Sequence, residues 1–241
     1  MQIVITMAGL GTRFRKAGYK VPKYEIPVHG RTLFAWSMES LKGFSSPDND
    51  HYFIVRRADN AASFIEEEWK KVAGAGRIHV IELDEMTDGQ ATTAMLAAPY
   101  WKKDDELLIY NIDTYVEAGC MKSSDIEGDG FIPCFAAPGD HWSFVAIDEN
   151  GDATAVREKE RISDNCTLGA YYFRTCALYE QMYGEYYGDG SNMEKGEKYV
   201  APLYNHMISQ GMKVRISLVD KKCVHVLGTP EELEVFAKED I

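Results

Sequence analysis

The sequence predicts an α/β fold, a mixed and mostly parallel sheet with helices on both faces. Three observations carry that expectation. Between residues 2 and 110 apolar β-like runs alternate with helical patterns, in the order β-α-β-α-β-α-β. The first apolar run empties into a glycine-rich turn, Ala8-Gly9-Leu10-Gly11, with cations close behind. The second half changes character, with short β runs broken by turns such as Pro138-Gly139-Asp140.

The elements follow in order. Residues 2–7 read as a buried strand. Residues 31–42 place Leu33, Phe34, Trp36, Ser37, Ser40 and Leu41 at helical spacing. A turn at Pro47-Asp48-Asn49-Asp50 leads to a strand over 51–56. Residues 60–72 carry Phe64, Ile65, Trp69 and Val72 with acids between them, a helix, and 78–83 are again a strand. Residues 90–98 are small and apolar, as in a buried helix, and 106–110 form a short buried strand. In the second half strands are expected over 131–137, 143–147, 168–173, 213–219 and 223–227. Helices are expected over 176–187 and 199–210, joined by the loop Gly188-Asp189-Gly190-Ser191-Asn192. Thr229-Pro230-Glu231-Glu232 opens a last helix, with threonine as N-cap, proline in the first turn and acids at the positive end of the dipole.

Composition bounds the function. The 241 residues, 45% hydrophobic and 27% charged, suit a globular chain of one large or two small domains. We expect one domain over 1–241, made of two halves, about 1–115 and about 116–241. The net charge of −12 argues against nucleic acid, whose binding needs many cations together. Cys120, Cys134, Cys166, Cys176 and Cys223 are scattered and odd in number, with no CxxC pair, so reduced thiols are expected. The N-terminus reads as a strand and not a signal peptide. No apolar stretch approaches the ~20 residues of a membrane helix. A soluble, cytoplasmic protein without a membrane partner is expected, and a homo-oligomer is compatible with the sequence.

The chemistry starts at the first turn. Arg13, Arg15, Lys16, Lys20 and Lys23 follow its glycines in an otherwise acidic protein, so the positive potential is local and suits a small polyanion. Glycines let backbone N–H groups approach phosphate closely. The spacing is neither a P-loop nor G-x-G-x-x-G. Asp113 ends the apolar strand Leu107-Leu108-Ile109-Tyr110-Asn111-Ile112. Ligands bind at the carboxyl ends of parallel strands, and a carboxylate facing polyphosphate needs a cation between, for which Mg²⁺ is suited.

Strand, Ala8-Gly9-Leu10-Gly11-Thr12-Arg13-Phe14, basic loop and Pro22-Lys23 together resemble the signature of sugar-phosphate nucleotidyltransferases, the pyrophosphorylases of Rossmann-like, GT-A-like fold. The resemblance extends to Gly89-Gln90-Ala91, Asn111-Ile112-Asp113, Glu158-Lys159 and the ending Gly228-Thr229-Pro230-Glu231-Glu232-Leu233. It implies transfer of a nucleotidyl group from a nucleoside triphosphate to a phosphorylated small molecule, with pyrophosphate leaving. It implies Ala8, Gly9, Gly11, Thr12, Arg13, Gly89 and Gln90 at the nucleotide. It implies Glu158, Lys159 and Gly169 at the acceptor, and Mg²⁺ on Asp113, with Arg13, Lys23 and Asp113 catalytic. Tyr171 and Tyr172 are further candidates for the acceptor pocket. Short forms with Pro-Lys-Tyr after the basic loop look closest to capsule-pathway enzymes, some of them cytidylyltransferases, and a pyrimidine triphosphate (CTP, UTP or dTTP) is the expected donor. One position departs from the pattern. Val226 stands where many of these enzymes carry the aspartate of Asp-x-Gly-Thr, and strand alternation points the adjacent His225 to the other face. Two rival readings are a glycosyltransferase of related fold and a non-catalytic nucleotide-sensing subunit, which Val226 favours.

Overall fold

The computed structural model describes residues 1–72 and 75–241. Strand β1 (Gln2–Thr6) lies at the centre of a parallel group. On one side it pairs with β4 (Asp50–Arg56), which pairs in turn with β5 (Arg77–Leu83). On the other side it pairs with β6 (Leu107–Asn111), in a register that sets Thr6 beside Asn111. Strands β1, β4 and β6 are buried on both faces, whereas the edge strand β5 is largely half-buried or exposed. On β1, Ile3 and Ile5 face one core and Val4 the other.

Helices α2 (Leu33–Glu39) and α3 (Ala62–Lys71) supply residues to the first core, which includes Phe34, Phe53 and Ile65. Helices α4 (Gln90–Met95), α5 (Cys176–Tyr187) and α6 (Ala201–Ser209) supply the second, which includes Ala94, Tyr179 and Tyr204. The two-layer cover is the arrangement expected from the alternating pattern.

The second half extends the same sheet with β8 (Gly130–Phe135), β9 (Ser143–Ile147), β10 (Ala153–Glu158), β11 (Cys166–Thr167) and β12 (Ala170–Phe173). β12 runs antiparallel between β6 and β8, so it joins the two halves through hydrogen bonds. β13 (Val214–Leu218) pairs parallel to β8, and the sheet reaches ten strands among the described residues. A separate ribbon pairs β7 (Thr114–Val116) with β14 (Val224–Val226), immediately before α7 (Pro230–Phe236).

Several expectations need correction. The basic segment after the glycines is not a loop throughout: Thr12–Lys16 form the one-turn helix α1, held by buried Phe14. The pattern over 31–42 is not one helix. A hairpin of β2 (Pro27–Val28) and β3 (Arg31–Thr32) takes its first residues, Thr32 Oγ1 caps α2 by accepting from the Ala35 N–H at 3.1 Å, and residues 40–44 tighten to 3₁₀ turns. Cys120 and Cys223 are bonded as a disulfide, whereas Cys134, Cys166 and Cys176 are free and buried. The bonded pair lies 103 residues apart in sequence and is brought together by the β7–β14 ribbon, a pairing that the spacing of cysteines does not reveal. No helix among the described residues is long and apolar enough to cross a membrane.

His51, on the inner strand β4, carries a pH consequence. It packs on Trp69 with 4.5 Å between ring centroids, and burial pushes its imidazole down to about 4 despite the nearby Asp50 carboxylate. The folded protein therefore takes up the proton later than the unfolded chain as pH falls. The stabilisation is complete above the ordinary histidine value and is lost on descending from there toward pH 4. Between pH 7 and pH 4.5 this group removes about 2–3 kcal/mol. Urea unfolding at the two pH values checks it, and His51→Phe should flatten the dependence by that amount.

Candidate active site

The carboxyl ends of β1 and β6 open into a cleft of ≈ 840 Å³. Met7 donates its N–H to the Ile54 carbonyl at 3.0 Å, so the chain leaves β1 still held to β4 before it turns at Gly9 and Gly11. A Cβ on Gly9 would meet nothing within 4 Å, and Gly11 precedes α1 in a left-handed conformation. Phe14 packs in a cluster with Trp36, Leu227 and Phe236 and so anchors α1. The anchored helix presents Arg13 to the cleft.

Of the five cations after the turn, Arg13 and Lys23 line the cleft, whereas Arg15, Lys16 and Lys20 do not. Arg15 reaches toward Asp59 at 3.8 Å. Ala8, Gly9 and Gly11 line the cleft as expected, while Thr12 begins α1 on the exposed side. Lys23 starts a 3₁₀ turn and places its Nζ 3.0 Å from Asp113 Oδ2. The expected strand-end carboxylate and loop lysine thus meet across 90 residues of sequence. Both remain accessible, with side-chain exposures of 18% and 36%.

Gly89 and Gln90 form the cleft's next wall. A Cβ on Gly89 would fall 2.4 Å from the Lys198 carbonyl oxygen, so only glycine allows this approach. The Ala91 N–H donates to the Lys198 carbonyl at 3.0 Å, and the Lys198 N–H to the Asp88 carbonyl at 2.7 Å. The Lys198 ammonium also pairs with Asp88 at 2.8 Å, which holds that carboxyl below its ordinary value against the opposing effect of burial. The Gln90 Nε2 donates to Asn111 Oδ1 and, at 3.3 Å, to Thr6 Oγ1. Its Nε2 is therefore engaged in tying the two strand ends together, and its Oε1 makes no hydrogen bond among the described residues.

Across the cleft Glu158 ends β10 and accepts from Ser143 Oγ. Glu158 lines the cleft, but Lys159 stands at its rim. The Lys159 Nζ donates to Tyr199 Oη at 3.0 Å and lies 3.4 Å from Glu158 Oε1. Gly169 lines the cleft at φ +77°, where a Cβ would fall 2.6 Å from the Asn111 amide nitrogen. Strand alternation separates the two tyrosines. Tyr171 faces the cleft side, whereas Tyr172 turns to the opposite face and donates to Glu106 at 2.8 Å.

His225 stays out of the cleft. It stacks on Tyr115 at 5.1 Å between centroids and pairs with Glu239 at 2.6 Å through Nδ1. Val226 does line the cleft, with Gly228, Thr229 and Glu232 beyond it. Asn111, Trp142, Tyr199 and Glu232 are among the cleft residues to which sequence reasoning gave no separate role in the site. Asn111 had a usable signal, a polar residue two positions before Asp113 at the end of an apolar run. Trp142 and Tyr199 had none, since each is brought in by tertiary packing, and Glu232 read only as a first-turn acid of the last helix.

No family model matches the chain, and no curated protein matches it. Solved structures do. A nucleoside-diphosphate-sugar pyrophosphorylase from Vibrio cholerae RC9 is 33% identical with a TM-score of 0.89, over 98% of this chain and 100% of the other. An inositol-1-phosphate CTP transferase from T. maritima has a TM-score of 0.76 at 15% identity, over 100% and 97% of the two chains. A Bacillus anthracis protein described as a glucose-1-phosphate thymidylyltransferase has a TM-score of 0.77 at 14% identity, over 100% and 96%. The latter two speak for the fold alone.

Gly169→Ala tests the packing of this cleft. The methyl group would displace the Asn111 amide, break its bond from Gln90 and add left-handed backbone strain, together costing about 1–3 kcal/mol. Thermal denaturation should show the loss. A crystal structure of the variant should show Asn111 rotated out of the Gln90–Thr6 arrangement.

Proposed function

This chain belongs to the sugar-phosphate nucleotidyltransferase family, and from that premise we propose how its cleft performs the transfer. An oxygen of the acceptor phosphate attacks the α-phosphorus of a nucleoside triphosphate in line, and pyrophosphate leaves. The observation that carries this reading is the meeting of Lys23, Asp113, Arg13 and the Gly9–Gly11 turn at the ends of two adjacent parallel strands.

The phosphate nucleophile is already anionic, so no general base is required. Catalysis rests on positioning and charge neutralisation. In this reading residues 1–115 hold the nucleotide, with Ala8, Gly9 and Gly11 at the phosphates and Gly89 and Gln90 at the base. Residues 116–241 hold the acceptor through Glu158, Lys159 and Gly169. Arg13 stabilises the departing phosphates. Lys23 neutralises the α-phosphate or the acceptor phosphate. Asp113 is the metal ligand. Thr114, Thr229 and Glu232 line the same cleft and offer oxygen donors, the hard type that Mg²⁺ takes. When bound, Mg²⁺ neutralises phosphate charge and polarises the phosphoryl group.

We further propose a pyrimidine triphosphate as donor, with CTP first, and an acceptor that is a sugar 1-phosphate or another phosphorylated precursor of a surface or capsular polysaccharide. These finer assignments rest on the resemblance of the motifs.

Two measurements follow. A matrix of nucleoside triphosphates against phosphorylated acceptors with Mg²⁺, read by pyrophosphate release, should give its highest kcat/KM with a pyrimidine. Nucleotide binding with no turnover across the matrix would favour the sensing subunit instead. Arg13→Ala or Lys23→Ala should lose about 2.7–4 kcal/mol of transition-state stabilisation, the scale of removing one preorganised donor. Rates near those of the unmutated enzyme would overturn those two roles.

A further inference from the structure

The acidic end of the cleft holds a second carboxylate. The β7–β14 ribbon sets Val226 opposite Thr114, and the Leu227 N–H donates to the Asp113 carbonyl at 2.8 Å. The chain after β14 therefore runs alongside Asp113. Val226 contributes only methyl groups where an aspartate would contribute a ligand. Gly228 and Thr229 follow, and the Thr229 hydroxyl accepts from the Glu232 N–H at 3.2 Å.

In a capping box the N3 glutamate returns this bond to the N-cap N–H. Here only the forward bond, to the Thr229 hydroxyl, is made among the described residues. Glu232 Oε2 is buried and has no hydrogen-bond partner among the described residues. A Cβ on Gly228 would stand 3.3 Å from Glu232 Oε2 and 3.7 Å from Asp113 Oδ2. Both carboxylates therefore border one spot, left open because residue 228 has no side chain.

Such an arrangement costs free energy as it stands. A buried carboxylate oxygen without a partner has lost its water, and two carboxylates facing one spot repel. Lys23 relieves Asp113 but makes no ion pair with Glu232. A cation bound at the shared spot removes both penalties. Mg²⁺ is commonly held by one or two carboxylates together with phosphate oxygens and water.

We infer that Glu232 is the second protein carboxylate of the metal site, supplying from helix α7 the ligand that the strand position 226 lacks. The inference rests on the nucleotidyltransferase reading. It makes Val226 compatible with catalysis, so that position no longer favours a non-catalytic subunit.

The test is Mn²⁺ binding to the purified protein, followed by loss of the free-ion signal in electron paramagnetic resonance. Glu232→Gln and Asp113→Asn should each weaken Mn²⁺ binding about 10–100-fold, at least the loss known for outer-shell partners of metal sites. Unchanged circular dichroism would show that the fold persists. Gly228→Ala places a methyl group at the shared spot, against Glu232 Oε2, without replacing either carboxylate, and should also weaken Mn²⁺ binding. It carries the test if Glu232→Gln does not fold. Mn²⁺ affinity in Glu232→Gln equal to that of the unmutated protein, or no Mn²⁺ binding by the unmutated protein, overturns the assignment. Pyrophosphate release by the unmutated protein reports separately on the underlying reading. Release that persists in Glu232→Gln with the same Mg²⁺ requirement removes Glu232 and leaves that reading in place.

Discussion

The parallel pairing of β1 with β6 is the constraint on which the cleft depends. It sets Thr6 beside Asn111, so the glycine turn after one strand and Asp113 after the other emerge at the same edge. Parallel strands end together, and the apolar cores on both faces leave the crest as the place for polar groups. A register slip of one residue would reverse the faces of Ile3, Val4 and Ile5 and bury nothing properly, so the cores lock the site. Gln90 adds a side-chain clamp across the same two strand ends.

Charge placement sets two cations, Arg13 and Lys23, in a cleft whose other charged lining residues are carboxylates. The protein carries a formal charge of −12, and many of its cations are spent in ion pairs elsewhere, such as Arg77 with Asp50 and Arg174 with Asp129. Arg13 and Lys23 are held in the cleft by buried neighbours, Phe14 and Tyr24 respectively. Lys23 rests on Asp113, which keeps both charges compensated while leaving each accessible. The ion pair is worth little as stability, since both partners are solvated. Its value is in holding two groups at a fixed place in the cleft.

The two halves of the chain are not independent walls. The segment before α6 bonds the Gly89–Gln90 turn through both backbone groups of Lys198, and its next residue, Tyr199, bonds Lys159. One short stretch thus touches the proposed base turn and the proposed acceptor pair. The wall contributed by residues 197–199 is set by packing of α5 and α6 against the second core, far from any motif.

By itself the sequence determined the alternating α/β order, the glycine turn, the strand-end aspartate, the Thr229 cap and the family resemblance. These are local or periodic features: a buried parallel strand must be apolar throughout, and a cap or tight turn restricts its residue types within a few positions. Tertiary structure alone decided which of five cations face the cleft, that Lys23 rests on Asp113, that Cys120 meets Cys223, and that Glu232 borders the same spot as Asp113. The last three depend on side chains 90 or more residues apart. No short-range preference encodes such contacts. They arise when the β7–β14 ribbon and the core beneath α1 fix where distant segments lie.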